Sequence, residues 1–536
     1  MFSQGFATLM SRFRPDAVLL PRVARMRALQ TESEAAQAMR CELPDMLLSE
    51  RLRNPDSWRA IQQSRRRALE ALLAVPPTGE TVARAADLIA LISEESTWSA
   101  NDAGECFDEE SHPEIDFQCA ETAALFGWTR RILGDRLNAL SPRIVNRMVT
   151  ETRRRVLRPA QTHDDYPFMS GKGARPMAIA ADLLLSALLL ETDETRLSRA
   201  FRPALRLLDE CCARHGRDFA SLADSVADVS AVTDLVVLLR EMTDDALDLT
   251  EQLPPGDWLD EILYAWIHDR LFVDPAGDGM QPAISGGDVF RIGHAAGDDQ
   301  LTALGAMLWH QNNHLPAATV TGRLRELSAC ALMESAFDRP KRLRYAHLRD
   351  NRLMVARIPG LYCALHTGGG RGNAGDLCLF ADDAPILVDG GRGCPAKNVP
   401  VLNGHAQLTA PVHPCIADFV DREDREVMSV DLTGAYPPEC GLRSYQRTAL
   451  TLRAEQTVRI VDALSFDQPG RAAFCFVTAV RPTVLSTAVR LGPVRLTWEG
   501  SFTVTASPLE NGLTRLEFVA AEPVRQALFS FSFERA

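Results

Sequence analysis

Long hydrophobic runs are missing from this sequence. The longest candidate, Met177 to Leu190, is interrupted by Asp182 and is too short to cross a bilayer, which takes about 20 apolar residues. The N-terminal residues MFSQGFATLMSRFRPDAVLLPRVARMR contain neither an uninterrupted apolar core nor a small-residue cleavage pattern, so they do not have the form of a secretory signal. We therefore expect a cytoplasmic protein that has no membrane partner.

Regular cysteine spacing is also missing. The 12 cysteines are scattered, and no CxxC motif occurs. Three of them, Cys363, Cys378 and Cys475, lie inside apolar runs that resemble strands. This distribution is typical of buried thiols in a reducing compartment, which agrees with the cytoplasmic location.

Positive charge is in the minority, because the formal net charge is -13 at pH 7. A negative field disfavours nucleic acid as a partner, and an acidic glycan would need a local basic cleft. The rest of the composition is ordinary for a soluble globular protein, with 46% hydrophobic and 24% charged residues. A chain of 536 residues predicts two domains, and nothing in the sequence indicates an oligomeric state.

The chain has helical periodicity from its start to about Pro340. The segment that begins at Ser57 places Trp58, Ile61, Leu69 and Leu72 along one stripe, as in an amphipathic helix. Breaks rich in Pro, Gly and Asp separate successive helices, which predicts helical hairpins arranged as an α/α toroid or a solenoid. Periodicity does not distinguish these two arrangements.

After Pro340 the pattern changes to alternating apolar and polar residues, which predicts strands. Leu377 to Asp389 has the form of a β-hairpin, since LCLF and PILVD flank a turn at Ala381 to Ala384. Glycines on both sides of this hairpin mark tight turns that bring polar loop residues to one edge of a sheet. The expected domain boundary lies near Pro340 to Arg344.

Several motifs occur in an order that identifies a family resemblance. They are EESTW at Glu94 to Trp98, IDFQCAETAALFGW from Ile115, PILVDGG from Pro385, NVPVLNGHAQ from Asn398, and DLTGAYP from Asp431. Together they resemble the heparinase II/III-like family of polysaccharide lyases. The resemblance implies an α+β multidomain protein with an N-terminal α/α toroid at 1–340 and a C-terminal antiparallel β-sandwich at 341–536. It also implies a glycan-binding cleft for acidic, uronic-acid oligosaccharides.

The family's zinc site is substituted in this chain. In better-known members, the positions that match Gly369, Arg371 and Lys397 are histidines, of which the first is a catalytic base and the other two bind a structural zinc together with the aspartate that matches Asp389. Guanidinium and ammonium groups cannot coordinate zinc, so we expect no metal here and no cofactor. We expect instead that Arg371 and Lys397 pair with Asp389. The alternative is that both cations are solvated and have no partner.

The remaining catalytic positions are substituted too. β-Elimination needs an amide that neutralises the uronate carboxylate, and a base and an acid with accessible pKa values. The resemblance places Ala174 and Arg175 where Asn and Trp should occur, and Asp224 and Ser225 where Tyr and Trp should occur. The first hypothesis is therefore a degenerate relative that binds an acidic oligosaccharide, or acts as a structural or regulatory partner, without lyase chemistry.

An active lyase with displaced residues is the alternative hypothesis. His366 or His405 would then be the base and Tyr264 or Tyr166 the acid, although a surface or core histidine is the commoner role for each one alone. For either hypothesis, the resemblance predicts a substrate cleft whose residues include Glu95, Trp98, Arg175, Arg371, Asn398 and Asn403.

Overall fold

The structure is a computed structural model that describes most of the chain. The described residues are 31–40, 42–100, 112–170, 175–214, 221–250, 256–274, 283–311, 316–336, 338–348, 353–368, 374–389, 397–409, 411–413, 415–509 and 512–535. Gly369 and Arg371, which the resemblance matched to histidine positions of the family, lie outside these ranges.

The chain divides into two compact units. The first contains the described residues of 1–218, 224–255 and 284–340, and the second contains those of 219–223, 256–283 and 341–536. A short segment that precedes the predicted boundary thus packs in the second unit, where Ile267 and Val273 share an apolar cluster with Tyr362 and Phe380. The hydroxyl of Tyr362 also donates to the carbonyl of Tyr264 at 2.9 Å.

The first unit is helical, and its helices, which are all those named below except Gly256–Ala265 of the second unit, form the predicted α/α toroid. The α-helices of the described chain are α1 (Thr31–Arg40), α2 (Leu48–Arg53), α3 (Pro55–Leu73), α4 (Gly79–Glu94), α5 (Phe117–Leu140), α6 (Pro142–Thr152), α7 (Arg158–Thr162), α8 (Pro176–Leu190), α9 (Glu194–Arg214), α10 (Leu222–Met242), α11 (Gly256–Ala265), α12 (Gly286–Ala296), α13 (Asp299–Gln311) and α14 (Val320–Ser335). None of these helices combines the length and the apolar character needed to cross a membrane.

Local sequence signals start these helices. Pro55, Pro142 and Pro176 occupy the first turns of α3, α6 and α8, where a missing N–H costs nothing. Asp116 caps α5 by accepting a hydrogen bond from the backbone N–H of Cys119 at 2.9 Å, and Thr319 caps α14 in the same way.

The second unit contains two large antiparallel sheets, which confirm the predicted β-sandwich, and a separate two-stranded sheet formed by the first two of its strands. Its strands are β1 (Trp266–His268), β2 (Leu271–Phe272), β3 (Tyr345–Leu348), β4 (Leu353–Ile358), β5 (Leu361–His366), β6 (Leu377–Ala381), β7 (Ala384–Leu387), β8 (Val401–Leu402), β9 (Ala417–Asp421), β10 (Arg425–Asp431), β11 (Leu442–Leu452), β12 (Thr457–Gly470), β13 (Ala472–Thr478), β14 (Thr483–Val484), β15 (Val489–Leu491), β16 (Val494–Glu499), β17 (Phe502–Pro508), β18 (Thr514–Ala520) and β19 (Val524–Arg535).

One sheet has the order β17-β18-β13-β7-β6-β5-β4-β3, with β8 added on β13, and the other has the order β14-β15-β16-β19-β12-β11-β10-β9. The apolar positions of the alternating strands form one buried cluster rich in phenylalanine. Phe476, for example, lies 5.2 Å from Phe531 and 5.8 Å from Phe518, measured between ring centroids. This core includes Leu387, Leu402 and Tyr436, which belong to the three motifs that lie in the second unit.

Candidate functional site

The first candidate site is the loop region of the second unit that matches the family's zinc site. Lys397 donates a hydrogen bond through Nζ to Oδ1 of Asp389, and the two side chains are 16% and 4% exposed. An ammonium group therefore lies against Asp389, the aspartate for which the sequence resemblance implied a zinc-ligand position. The part of the predicted triad that involves Arg371 falls outside the described residues.

A second carboxylate, which the sequence did not single out, lies in the same region. Asp376 is fully buried, and its Oδ1 accepts hydrogen bonds from the backbone N–H of Asn398 at 3.0 Å and from Nδ2 of Asn398 at 2.9 Å. Burial and, after it, the neighbouring Asp389 raise the pKa of Asp376 to about 7 against the opposing effect of Lys397. Burial alone would lower the pKa of Lys397, but attraction to Asp389 and Asp376 outweighs it and raises that pKa.

Asn398 has a structural position rather than a ligand-facing one. Its side chain is fully buried; besides Asp376, Nδ2 donates to the carbonyls of Leu377 and Val388, both at 2.9 Å. Its Oδ1 accepts from the backbone N–H of Val477 at 2.7 Å. Asn398 therefore joins neighbouring strands and cannot contact a substrate in this conformation.

Asn403 fastens a turn. It has a positive φ of 49°, its Nδ2 donates to the carbonyl of Cys440 at 2.8 Å, and its Oδ1 accepts from the backbone N–H of Arg471 at 2.8 Å. The backbone of His405 closes the same turn through two hydrogen bonds with Leu402, and the side chain of His405 is partly exposed.

Two more of the candidates for acid and base, His366 and Tyr264, also lie in the second unit. His366 ends β5 and is only 1% exposed, and its backbone pairs with Gly375 and Asp376. Tyr264 lies in α11 and is partly exposed, and burial raises the pKa of its hydroxyl. No described contact joins His366, His405 and Tyr264 into a catalytic group.

In the first unit, the two residues expected in the cleft from the EESTW motif are interior. Trp98 is fully buried and its Nε1 donates to the carbonyl of Ile92 at 2.8 Å. Glu95 is 2% exposed and accepts from Arg65 at 3.2 Å and Arg66 at 2.8 Å. Two arginines thus neutralise this carboxylate, so that Glu95 organises the interior of the toroid.

A cavity of about 570 Å³ lies in the first unit and forms the second candidate site. Helices α3, α5 and α14 each line the cavity with residues that recur three or four positions apart, which is the spacing of one helical face, and α8 contributes Ile179. Its polar lining residues are Gln63, Arg66, Arg67, Glu70, Glu114, Asp116, Gln118, Glu121, Thr122, Arg175 and Arg323. Of the residues predicted to line a cleft, Arg175 is here, and Glu95 is linked to the cavity through Arg66.

Arg175 presents a guanidinium group to this cavity. Its Nε donates to Oδ1 of Asp224 at 2.9 Å, and its Cζ lies 4.8 Å from the ring centroid of Phe117. Neither of its Nη atoms hydrogen bonds to any described residue. The backbone of Arg175 is left-handed, with φ 56°, an uncommon conformation for this residue type that positions the side chain just before α8.

Arg67 is a second available cation, because its side chain is exposed and it forms no ion pair within the described chain. Arg323, in contrast, is neutralised by Glu70, to which its Nε donates, and by Glu121 at 3.0 Å. Asp116 is also engaged, since its carboxylate accepts from two backbone N–H groups and from Ser99. Of the four arginines in the lining, Arg67 therefore has no ion-pair partner within the described chain, and Arg175 is paired with Asp224 only through its Nε.

The described lining of this cavity contains no histidine and no tyrosine. Tyr166 is close in sequence to Phe168, which does line it, but its hydroxyl donates to the carbonyl of Pro113 at 2.7 Å and the residue is 4% exposed. The cavity consequently offers cationic binding groups without the side chains that most readily exchange protons near neutral pH.

Comparisons with known proteins agree with this architecture. No protein-family model and no curated protein matches the sequence. Among solved structures, heparinase III covers 100% of this chain and 85% of its own at 11% identity, with a TM-score of 0.58. The heparan sulfate lyase HepC from Pedobacter heparinus covers 99% and 87% at 10% identity, with a TM-score of 0.56. A chondroitin AC lyase from Streptomyces coelicolor A3, solved with chondroitin sulphate, covers 99% and 83% at 12% identity, with a TM-score of 0.53.

The chain therefore has the polysaccharide lyase fold, an α/α toroid followed by an antiparallel β-sandwich. Identities of this size establish the fold and not the activity. The sequence-based expectations had overlooked Arg67, Glu70 and Arg323, although the consecutive Arg65, Arg66 and Arg67 were a visible signal. On a helix such a run must place its charges on different sides, so that at least one can face a cavity.

Proposed function

We propose that this protein binds an acidic, uronic-acid oligosaccharide in the cavity of its toroid and does not cleave it by β-elimination. The observation that carries the proposal is that Arg67 forms no ion pair within the described chain and that Arg175, whose Nε is bound to Asp224, has no described partner for its two Nη atoms. A guanidinium group with two unoccupied Nη atoms matches the geometry of a carboxylate and can bind it bidentately.

The dimensions and surfaces of the cavity support a small ligand. About 570 Å³ lies within the range of about 300 to 1,000 Å³ that is usual for ligand sites. Phe117 supports the guanidinium of Arg175 from one side, which holds it in one orientation, and the exposed amide of Gln63 supplies a further hydrogen-bonding group. Arg67 and Arg175 are the groups through which this cavity would bind an anion despite the net charge of -13.

The absence of cleavage is proposed on chemical grounds. The cavity lining within the described chain has no histidine or tyrosine, and its carboxylates Glu70 and Glu121 are bound to Arg323. Losing a general acid or base costs roughly 10²- to 10⁴-fold in rate for each group. We place this binding in the cytoplasm, in agreement with the cysteines of the described chain, none of which forms a disulfide.

Calorimetric titration with a panel of uronic-acid oligosaccharides tests the binding. Arg175→Gln and Arg67→Gln should each lower the affinity by roughly 10- to 100-fold, since a charge-assisted hydrogen bond contributes about 1.5 to 3 kcal/mol. Arg136→Gln is the matched control, because Arg136 is an exposed arginine of α5 that does not line the cavity. Equal losses in all three variants, or no binding by the wild type, would refute the proposed site.

Near-ultraviolet absorbance tests the chemistry with the same oligosaccharides, since elimination creates a double bond conjugated to the carboxylate. We expect no gain in absorbance. A gain that disappears in His405→Ala or His366→Ala would instead establish the alternative hypothesis, an active lyase with a displaced base.

A further inference from the structure

Two histidines and an aspartate lie close together, in two segments that come just before residues lining the cavity. His112 precedes α5, and His163 and Asp165 follow α7. One donor atom from each side chain lies within 4.8 Å of the other two. Nε2 of His112 is 2.8 Å from Oδ1 of Asp165, and the rings of His112 and His163 are 4.5 Å apart between centroids.

The cluster has one packed side and one accessible side. Tyr166 lies against it, with its ring centroid 4.6 Å from that of His112 and 6.2 Å from that of His163. The tyrosine itself is held by its hydrogen bond to the carbonyl of Pro113 at 2.7 Å. The side chains of His112 and Asp165 are 33% and 68% exposed, so that an ion can reach them from solvent.

We propose that His112, His163 and Asp165 form a binding site for a divalent transition-metal ion. Two imidazoles and one carboxylate are a ligand set that suits zinc, cobalt or nickel, with water completing the coordination. Ligands about 2.0 to 2.2 Å from an ion lie only a little over 3 Å from one another, so the observed spread of up to 4.8 Å requires a contraction by rotation of these side chains, none of which is buried.

A bound ion would fasten two segments of the cavity wall to each other. Residues 114–116 follow His112 directly and line the cavity, as do Pro167 and Phe168, which follow Asp165. These segments already share the Tyr166 hydrogen bond, and three metal bonds would fix their separation more firmly. The site differs from the Asp389 region, so the expectation that no zinc binds there is unaffected, but it departs from the expectation of a chain with no metal. It does not depend on the proposed glycan.

Titration of the full-length protein with Co²⁺ tests the proposal. We expect one equivalent to bind and to produce weak visible absorption bands from nitrogen and oxygen ligands. Asp165→Asn and His163→Ala should each lower the affinity by at least 100-fold. Asp165→Asn changes an exposed side chain, so its melting temperature should equal that of the wild type, which separates loss of a ligand from loss of folding.

His268→Ala is the matched control. His268 forms a similar exposed pair with Asp269, 2.9 Å apart, but no third ligand accompanies it within the described chain, and Co²⁺ binding should be unchanged in the variant. Hydrogen exchange should slow in peptides that cover 112–118 and 163–170 when Co²⁺ is added. Absence of binding up to roughly 1 mM Co²⁺ would refute the proposal. So would binding by Asp165→Asn and His163→Ala that equals binding by the wild type, or a strong absorption band from cobalt–thiolate coordination.

Discussion

The buried ion pair between Arg447 and Asp462 provides a direct test of what holds the second unit together. The two residues are register partners on β11 and β12, and their side chains are 1% and 0% exposed. Asp462 accepts from Nε and Nη2 of Arg447 at 2.8 and 3.0 Å, and its Oδ1 also accepts from the hydroxyl of Tyr445 at 2.8 Å. Attraction to Asp462 outweighs the effect of burial and raises the pKa of Arg447, so the arginine stays charged at every relevant pH.

Asp462→Asn should remove the countercharge while keeping the shape of the side chain. The amide retains one acceptor, but its NH₂ group would face a guanidinium N–H, and Arg447 would be left as a buried positive charge. Breaking such a pair costs about 3 to 5 kcal/mol. For a unit of this size, each kcal/mol corresponds to roughly 2 to 4 °C, so the melting temperature should fall by about 6 to 20 °C.

The Nη1 atom of Arg447 extends the effect beyond the two strands. It donates to the carbonyls of Gly375 at 2.8 Å and Asn398 at 2.5 Å, which belong to the loop region that contains Asp389. In Asp462→Asn, backbone amide exchange in β11, β12 and that loop region should therefore accelerate. A loss of stability of 3 to 5 kcal/mol corresponds to an acceleration of roughly 10²- to 10⁴-fold.

Scanning calorimetry and hydrogen exchange measured by mass spectrometry are the assays. Glu455→Gln is the control, because Glu455 forms only an exposed, 3.9 Å pair with Arg459 and should change stability by less than about 1 kcal/mol. The double variant Arg447→Met, Asp462→Asn should be less destabilised than the sum of the single variants, since it no longer contains the unpaired cation. A melting temperature for Asp462→Asn within 2 °C of the wild type, against the 6 °C minimum expected, would refute the reasoning.

The fold could be predicted from the sequence because the patterns that indicate helices, strands and turns involve residues close together in the chain. The hairpin predicted at Leu377 to Asp389 forms β6 and β7, and Asp382 and Asp383 make the turn with positive φ values of 46° and 66°. Such a turn follows the right-handed twist of the strands. Helical stripes and alternating strands likewise depend on neighbouring residues, and the order of the family motifs decided between a toroid and a solenoid.

The candidate site was harder to predict from the sequence, because it depends on which face of a helix or strand packs against another element. Arg66 and Arg67 are adjacent in sequence, yet Arg66 is 7% exposed and paired with Glu95, whereas Arg67 is exposed. No local pattern distinguishes them. The motif residues Glu95, Trp98 and Asn398 were expected to face a ligand and are interior, because they organise the packing around which the cavity and loops are built.

The His112 cluster shows the same limit over a longer distance. His163 and Asp165 were visible as neighbours in the HDDYPF segment, but two donors do not define a metal site. The third donor comes from a segment 53 residues away from Asp165, and only the packing of the chain around Tyr166 brings it there. Chemistry assembled from distant segments requires the tertiary structure.

Two further predictions concern buried carboxylates. Asp389→Ala should lower the free energy of unfolding by up to about 3 kcal/mol, because Lys397 loses its partner. The loss is limited by Asp376, whose pKa would fall once Asp389 no longer raises it, so that its carboxylate could balance the charge of Lys397. An unchanged melting temperature would contradict a buried pair. The second prediction is a change in pH dependence. Burial raises the pKa of Asp228 to about 7, against the opposing hydrogen bond from the backbone N–H of Ala178. The folded state thus holds a proton that the unfolded chain releases near pH 4, so this group contributes stability that declines from about pH 4 to pH 7 and is constant above it. Asp228→Asn keeps an acceptor for Ala178 but cannot titrate, and its melting temperature should therefore fall less than that of the wild type between pH 5 and pH 7.5. A difference between the two proteins that stays constant over this range would show that Asp228 is ionised throughout.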